Sequence, residues 1–403
     1  MAFKFVPRVL AGLALAAASG PEAAANTILA AGTPGEPGAA VDARAQAMGG
    51  AALGLFDGKN VNAFNPAAPA SYERAVFNLT LARGYTSYET DQGRSVQTSF
   101  DLPGAELSVP VSEGLALTVT FRQVLNHNYE VTWPLEYGGE VVGTNRWRGT
   151  GSVYGLSAGV AGRLGERWLV GGAAGYDFGA PEEVFAKEYI VKGFSDTQEN
   201  YETSYKGVQV RAGAGYWVTD KLSVGAVASA FTDHRVHETA YTEYTTLYED
   251  DHTFALPWSA GLGAAYAVGP RGRLAADLRY TGWSRFAVDG EGFGYRDTLE
   301  FHAGAEGRIS RSKRGFFLWR MPYRLGAFYV PWYSKEHGEF AHFGVAAGAG
   351  YLFQNNEESR LDVSLAYGRR GGLASHGLQE ETFDLYVSFV GLETWIGKRE
   401  IEE

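Results

Sequence analysis

Strict alternation of apolar and polar residues, repeated along most of the chain, is the feature that most limits what this sequence can fold into. In ETFDLYVSF, Phe383, Leu385, Val387 and Phe389 share one side, and the residues between them carry polar groups. The stretch LALTVTFR, which begins at Leu115, shows the same pattern. Successive side chains of a β-strand point to opposite faces, so each such segment predicts a strand with one apolar and one polar face.

About fourteen such segments follow one another, each roughly 10 residues long, the length that a tilted strand needs to cross an outer membrane. Their predicted starts lie near Ala75, Ser95, Gly114, Gly151, Trp168, Gly207, Leu222, Thr253, Leu274, Thr298, Tyr323, Ala341, Arg360 and Glu381. Short connections such as LGER and VTDK alternate with long polar ones such as EEVFAKEYIVKGFSDTQENYETSYK. Short turns on one rim and long loops on the other are typical of membrane barrels. The sequence therefore predicts an all-β fold, a transmembrane antiparallel β-barrel of about fourteen strands.

The two predicted faces also indicate a membrane protein. Aromatic residues near the strand ends suit interfacial girdles; they are Tyr85, Trp168, Tyr216, Tyr280, Tyr333, Tyr367 and Trp395. A soluble β-sandwich or β-helix would also alternate. The opposite face is mostly Gly, Ala, Ser and Thr with scattered charges, too small and polar to form half of a packed core.

The first residues have the pattern of a secretory signal. Lys4 and Arg8 precede an apolar run, and Ala23 to Ala25 form a small-residue cleavage site. Export and the strand pattern together predict a bacterial outer-membrane location. The chain has no cysteine, and a formal charge of −11 disfavours nucleic-acid binding, which needs Lys and Arg.

The stretch DARAQAMGGAALGLFDGKNVNAFNPAAPAS, Asp42 to Ser71, lies between the signal and the first strand. A barrel of about fourteen strands falls between filled eight-stranded and open sixteen-stranded ones, so its lumen needs a block. We predict that residues 26–73, which we name the hatch, form a plug inside the lumen. The expected organisation is a signal peptide (1–25), the hatch (26–73), the barrel (74–396) and a periplasmic tail (397–403).

This stretch resembles the N-terminal hatch of the FadL family of outer-membrane transporters for long-chain fatty acids and other hydrophobic compounds. The matching positions are Ala43-Arg44-Ala45, Gly49-Gly50-Ala51 and Asn65-Pro66-Ala67. Near the C-terminus, YRLGAFYVPWY, GVAAGAGYLF, SRLDVSLAYGRRG and FDLYVSFVGLETW are similar to the closing strands of the family. A FadL-shaped relative such as the PorV type has the same layout.

The resemblance implies capture of a hydrophobic ligand near the loops and passage through a hatch-gated barrel. It implies gate roles for Arg44, Gly49, Gly50, Asn65, Pro66 and Ala67. Strand three, LALTVTFRQV, has no Gly or Pro, so the side opening known in the family is not supported by this sequence. A scaffold for secretion or surface attachment is the alternative, and a general diffusion porin is a third hypothesis.

Two groups of inward residues are candidates for a ligand pocket. Arginine suits a carboxylate, and the inward arginines are Arg122, Arg211, Arg279, Arg308 and Arg324. These arginines could instead pair with inward carboxylates of the wall. Phe328, Val330 and Trp332 could line an apolar pocket, or pack against the hatch or a folded-in loop.

The remaining motifs predict no chemistry. His234, His237 and the acids Glu249 to Asp251 fit no metal-site spacing, so a solvated acidic loop is expected. The turn RISRSKRGFFLWR is expected to touch lipid phosphates. No catalytic constellation is recognisable. We predict a non-enzyme without cofactor or metal, a monomer whose partners are a hydrophobic small molecule, outer-membrane lipid and lipopolysaccharide.

Overall fold

The structure is a computed structural model that describes residues 27–38, 41–58, 60–90, 93–310, 316–336, 338–353 and 356–393. The predicted signal peptide, the predicted tail and Trp395 lie outside the described residues. Three short α-helices are present among the described residues: α1 (Ala43–Ala47), α2 (Phe317–Arg320) and α3 (Leu373–His376). The 3-10 turns are Ile28–Ala30, Ala68–Ser71 and Trp283–Arg285. None of the described helices is long and apolar enough to cross a membrane.

All described strands belong to one sheet. They are β1 (Glu36–Pro37), β2 (Ala75–Thr90), β3 (Gly93–Ser112), β4 (Leu115–Asn126), β5 (Tyr129–Tyr137), β6 (Glu140–Thr150), β7 (Ser152–Leu164), β8 (Trp168–Gly179), β9 (Glu182–Tyr189), β10 (Thr197–Trp217), β11 (Leu222–Phe231), β12 (His234–Thr242), β13 (Thr246–Ala255), β14 (Ser259–Val268), β15 (Gly272–Thr281), β16 (Ala287–Val288), β17 (Glu291–Gly292), β18 (Thr298–Arg308), β19 (Pro322–Pro331), β20 (Ala341–Phe353), β21 (Asn356–Gly372) and β22 (Leu378–Glu393).

Fourteen of these strands form the wall of a closed antiparallel barrel, as the sequence predicts. The first and last wall strands, β2 and β22, pair along their whole length, from Ala75 opposite Glu393 to Thr90 opposite Leu378. Closure removes the open sheet edges that lipid could not satisfy. The wall strands are β2, β3, β4, β7, β8, β10, β11, β14, β15, β18, β19, β20, β21 and β22.

Most predicted strand starts lie close to the observed ones, and two are wrong. β10 begins ten residues before Gly207 because it extends above the wall, where its first half pairs with β9 and β12. The strand expected from Thr253 is broken, and the wall strand β14 begins only at Ser259. Pro257 stands at this break, and proline cannot donate a hydrogen bond to a β-ladder.

Most of the long connections, which the sequence predicts as loops, are strands in the structure. Above the wall, β5, β6, β9, the first half of β10, β12 and β13 pair in that order. We call this end the loop rim and the opposite end, with the short turns, the turn rim. In membrane barrels the long connections face outward and the short turns face the periplasm.

Side-chain burial follows the predicted alternation. On β19, Leu325 and Tyr329 are exposed on the outer face, while Arg324, which precedes Leu325, is buried in the lumen. The exposed aromatic rings of Tyr85, Trp168 and Tyr367 lie on the outer wall, as expected for girdles. The girdle prediction is wrong for Tyr333, which is 1% exposed. The chain leaves the wall at Pro331, so Tyr333 turns into the barrel mouth instead of facing lipid.

A shallow apolar groove of about 830 Å³ lies on the outer wall between β8 and β19. Its outward side chains are small at the centre, with Ala226, Ala264 and Ala303, and large at the margin, with Trp168 and Phe301. The groove therefore belongs to the lipid-facing surface and is separate from the lumen.

Candidate functional site

The hatch runs through the lumen from the loop rim to the turn rim. At the loop rim, the Thr27 hydroxyl donates to the Glu380 carboxylate at 2.8 Å, and the backbone N–H of Ile28 donates to the same group at 3.0 Å. At the turn rim, the 3-10 turn Ala68–Ser71 leads directly into β2. The predicted plug is therefore present in the lumen, and the wall surrounds it.

The ARA and GGA motifs of the hatch form a short helix and its end. Asp42 caps α1 by accepting a hydrogen bond from the Ala45 N–H at 2.8 Å. Gly49 and Gly50 end the helix with φ values of 66° and 91°, a region that favours glycine. This turn brings the Gly49 carbonyl within 2.7 Å of His302 Nδ1 on β18. Arg279 donates to the Gly50 carbonyl.

Asn65, Pro66 and Ala67 form a buried bend. The Asn65 side-chain amide donates to the carbonyl of Leu53 within the hatch at 3.0 Å and to that of Ala214 on β10 at 3.1 Å. Its side-chain oxygen accepts from the Ala67 N–H at 3.0 Å. One side chain thus joins two hatch segments to the wall, and Pro66 fixes the backbone between them.

Inward glycines of the wall lie against the hatch around much of the lumen. We call this set the glycine belt; it consists of Gly171, Gly213, Gly225, Gly263, Gly304, Gly326 and Gly348. A Cβ on Gly225 would overlap the Leu53 carbonyl, and a Cβ on Gly326 would overlap the Gly49 amide. At Gly171, Gly225, Gly304 and Gly326 the hatch backbone itself approaches the strand, which leaves no room for a side chain.

A chain of buried ion pairs also holds the hatch. Arg44 lies 2.8 Å from Asp57 within the hatch and 2.9 Å from Glu306 on β18. Glu306 and Asp362 both contact Arg324, each at 2.7 Å. We call this set, together with Arg273 and Arg360 at its two ends, the hatch ion network. Hatch and wall are joined twice in this network, by Arg44 with Glu306 and by Asp57 with Arg273. The gate role of Arg44 stays a prediction.

The arginines predicted for a ligand differ in their partners. Arg324 is fully engaged in the hatch ion network. Arg279 lies 3.1 Å from Asp277, and its guanidinium lies 4.1 Å from the centre of the Phe64 ring. Arg211 donates to the carbonyls of Ala63 and Phe64 at 2.6 and 2.7 Å.

Arg122 donates to the Gln209 side chain at 2.7 Å. Within the described residues, neither Arg122 nor Arg211 forms an ion pair with a carboxylate, and the Nε of each is buried without a hydrogen bond. Their role in ligand binding stays a prediction, and it is stronger for these two than for Arg279 and Arg324.

The mouth at the loop rim is closed by packed rings. We call them the aromatic lid: Trp283, Phe286, Tyr295, Trp332, Tyr333 and Phe340. Tyr333 stacks on Trp283 with ring centres 4.0 Å apart, and its hydroxyl donates to the Gly35 carbonyl of the hatch at 2.7 Å. Leu29 of the hatch packs in the same cluster. The lid therefore rests on the N-terminal part of the hatch.

The three apolar pocket candidates do not form one group. Trp332 belongs to the aromatic lid, where its ring centre is 4.9 Å from that of Tyr333. Phe328 faces inward and contacts the His342 ring at 4.9 Å. Val330 lies between them along β19 and is half-buried. Their proposed ligand contact stays a prediction, and Trp332 packs against a folded-in loop, as the alternative expects.

A hydrogen-bonded ion pair attaches the lid loop to the sheet above the wall. Asp289, in the turn between β16 and β17, lies 2.8 Å from His252 Nδ1 on β13, while Asp250 lies 3.9 Å from its Nε2. The hydrogen bond to Asp289 is the main cause that raises the pKa of His252 above its ordinary 6.5. The same bond lowers the pKa of Asp289 below 3.8.

We expect a pH window for lid attachment. A raised histidine pKa stabilises the folded state below pH 6.5, and that contribution is lost as pH rises through the folded value. A lowered carboxylate pKa adds stability above 3.8 that is lost as pH falls through its own folded value. Protection of residues 282–297 from amide exchange, relative to the intrinsic rate at each pH, should be greatest between the folded pKa of Asp289, below 3.8, and that of His252, above 6.5. His252→Gln should remove the loss of protection at high pH; an unchanged profile would contradict this assignment.

The wall has a seam between β3 and β4. Their pairing runs from Ser112 opposite Leu115 to Gly104 opposite Arg122. Toward the loop rim, one edge of β4 stays paired with β7 as far as Asn126. The other edge pairs with the hatch strand β1. Pro37 lies opposite Leu125, and the Gly38 N–H donates to the Val124 carbonyl at 2.9 Å. Among the described residues, the hatch therefore takes the place of β3 along this edge.

Side chains bridge the seam where the ladder ends. Asp101 on β3 accepts hydrogen bonds from Asn126 at 3.0 Å and from Gln123 at 3.3 Å. Two side-chain hydrogen bonds to one carboxylate thus replace the backbone ladder at this height of the wall.

The sequence signal for the seam is in β3, one strand before the one expected. Leu102 and Pro103 stand opposite Leu81 alone, which makes a β-bulge in the β2–β3 pairing. Pro103 has no N–H to offer to β4. Strand three itself contains neither Gly nor Pro, and the Pro103-Gly104 pair of strand two lies where the ladder between the two strands ends.

Fold and site together define a bacterial outer-membrane β-barrel whose lumen is filled by its own N-terminal segment. The chain belongs to the BamG family, whose model matches residues 35–402. No curated protein sequence matches the chain significantly.

Several solved structures share the fold. A FadL homologue from Pseudomonas aeruginosa is 15% identical over 88% of this chain and 99% of its own, with a TM-score of 0.63. The toluene transporter TodX of P. putida is 13% identical over 90% of this chain and 100% of its own, with a TM-score of 0.60. The toluene transporter TbuX of Ralstonia pickettii is 14% identical over 87% of this chain and 98% of its own, with a TM-score of 0.59. The resemblance to the FadL barrel is thus confirmed for the fold.

Proposed function

We propose that this protein admits hydrophobic small molecules through the outer membrane and is not an enzyme. The observation that carries the proposal is the seam between β3 and β4, which is closed by the hatch and not by a wall strand. The similar barrels TodX and TbuX are toluene transporters, which supports the same class of cargo here.

The proposed route avoids the centre of the lumen. The hatch fills that region, where the glycine belt and the hatch ion network hold it, so straight passage would require the whole hatch to leave. Movement of residues 36–38 would free the edge of β4. It would break the short β1 pairing, the hydrogen bond from Gly38 to Val124 and the ion pair between Glu36 and Arg370. Pro37 is already exposed, whereas Pro34 and Gly35, which precede it in the hatch, are buried. A molecule held under the aromatic lid would leave sideways through the opened seam.

Arg122 and Arg211 support an amphiphilic cargo. Both guanidinium groups are at the lumen side, and neither forms an ion pair with a described carboxylate, although Asp177 attracts Arg122 and Glu106 attracts Arg211 from a greater distance. Arg122 lies on β4 at the lower end of the seam. A buried cation without a partner is costly, and an acidic group of the cargo would relieve that cost.

A reversible disulfide across the seam tests the route. Because the chain has no cysteine, Pro37→Cys with Leu125→Cys creates one defined pair at opposed strand positions. We expect the oxidised variant to lose uptake of labelled oleate and toluene in proteoliposomes, and a reductant to restore it. Thr239→Cys with Glu249→Cys, a pair on β12 and β13 above the wall with Thr239 half-buried and Glu249 exposed, is the matched control and should transport in both states. Full uptake by the oxidised seam variant would contradict the route.

A sealed scaffold is the second candidate function. The glycine belt and the hatch ion network favour it, because both hold the hatch as a fixed part of the core. In that case the oxidised Pro37→Cys/Leu125→Cys variant should replace the wild-type protein fully in a deletion strain. If the protein transports, the same variant should fail in the strain even though it folds.

A further inference from the structure

An exposed apolar segment stands at the turn rim, between β18 and β19. Phe316, Phe317, Leu318 and Trp319 follow one another, and they are 55%, 47%, 39% and 53% exposed. Packing against the described residues leaves all four of these large apolar side chains exposed. Such a patch marks a contact with something outside the protein.

The segment lies against the lipid-facing wall. The Tyr323 hydroxyl donates to the Leu318 carbonyl at 2.7 Å, and the Ser310 N–H donates to the Trp319 carbonyl at 2.7 Å. The Phe317 ring contacts the Tyr351 ring at 6.3 Å between centres. Tyr323 and Tyr351 are exposed outward residues of β19 and β20, so the apolar patch continues the surface that faces lipid.

Positive charge adjoins the patch. Arg320 ends α2, and Arg271 of the neighbouring turn donates to the Ile309 carbonyl, which joins the two turns. Aromatic side chains beside arginine suit the boundary between acyl chains and headgroups, where the rings enter the apolar layer and the guanidinium meets phosphate.

We propose that residues 316–320 form a membrane anchor that inserts Phe316, Phe317 and Trp319 into the leaflet at the turn rim. Arg320 binds the phosphate of anionic phospholipid there. The occupant is phospholipid because the patch is continuous with the lipid-facing wall and carries positive charge at its edge. The inference holds whether the barrel transports or serves as a scaffold.

A single spin label tests the insertion. Because the chain has no cysteine, Leu318→Cys gives one labelling site. Leu325→Cys, 66% exposed on the outer wall, serves as the acyl-chain reference, and Tyr244→Cys, 89% exposed above the wall, serves as the water reference. In vesicles of phosphatidylethanolamine and phosphatidylglycerol, we expect the ratio of oxygen to nickel-chelate accessibility at Leu318→Cys to fall between the references. A ratio equal to that of Tyr244→Cys would overturn the anchor.

Two further variants separate the rings from the charge. Phe317→Ser with Trp319→Ser should return the Leu318→Cys label to the water value; a label that stays shielded would show that the wall alone covers it, against the proposal. In the protein with Arg320 intact, the Leu318→Cys label should be shielded more in vesicles with phosphatidylglycerol than in vesicles of phosphatidylcholine. Arg320→Gln should abolish this difference in shielding, and a retained difference would remove Arg320 from the site. If the label were shielded in native membranes but not in pure lipid vesicles, the segment would contact a periplasmic protein and not phospholipid. That result would overturn the proposal. Heat-modified migration in gels checks that every variant folds.

Discussion

Gly225→Ala is expected to loosen the hatch and to make the barrel leak ions. A Cβ at Gly225 would overlap the Leu53 carbonyl, which is backbone and cannot rotate away as a flexible side chain could. Leu53 is also held by Asn65 and by Asp277, so a shift there disturbs the Asn65 bend. Overpacking of this kind costs about 1–3 kcal/mol or more. Planar-bilayer recording should show conductance events that the wild-type protein lacks, and urea titration in vesicles should show an earlier unfolding midpoint.

Gly162→Ala is the matched control for this result. Gly162 lies on the wall strand β7, and a Cβ there would meet no atom within 4 Å. Gly162→Ala should show no added conductance events and an unchanged unfolding midpoint. Equal leakage in the two variants would mean that alanine perturbs the wall generally and that the glycine belt does not seat the hatch.

Arg44→Met is expected to produce the second large effect. The change removes the ion pairs from Arg44 to Asp57 and Glu306 and leaves both carboxylates in the lumen. Breaking a buried pair while its partner stays charged costs about 3–5 kcal/mol. Arg273 still contacts Asp57 and Arg324 still contacts Glu306, which places the expected loss toward the lower end of that range. Protease cleavage within the hatch, followed in detergent, should become much faster.

Arg146→Met gives the comparison for an exposed ion pair. Arg146 lies 3.0 Å from Glu188 above the wall, with both side chains about two-fifths exposed (41% and 43%). Exposed pairs contribute about 0–1 kcal/mol, so unfolding and hatch cleavage should stay near wild type. If Arg44→Met behaved like Arg146→Met, the hatch ion network would not be what holds the plug.

The barrel itself could be predicted because its signal is local. Alternation along LALTVTFR or ETFDLYVSF shows directly which side chains face lipid, and wall closure needs only enough such strands in an even number. The segments above the wall are harder to predict. β12 and β13 carry many polar residues on both faces because water surrounds them, so the alternation that marks a membrane strand is missing there.

The candidate site could be predicted only in part. The motifs of the hatch placed Arg44, Gly49, Gly50 and Asn65 correctly inside the lumen, since their small neighbours suit close packing. Nothing in the local pattern separated Arg324, which is paired on both sides, from Arg122, which has no carboxylate partner among the described residues. That difference depends on which distant side chains the closed barrel brings opposite each arginine.

The sequence alone determined the strand number, the lipid-facing side of each wall strand and the presence of a small-residue plug. Only the tertiary structure decided how the plug is held and where a wall strand pairs with the hatch in place of its neighbour. The seam depends on Pro103 ending one ladder and on residues 36–38 reaching the free edge of β4. The aromatic lid depends on loops far apart in the chain meeting over the hatch. Alternation reports the two faces of a strand, but it carries no information about which edge each backbone pairs with across the barrel.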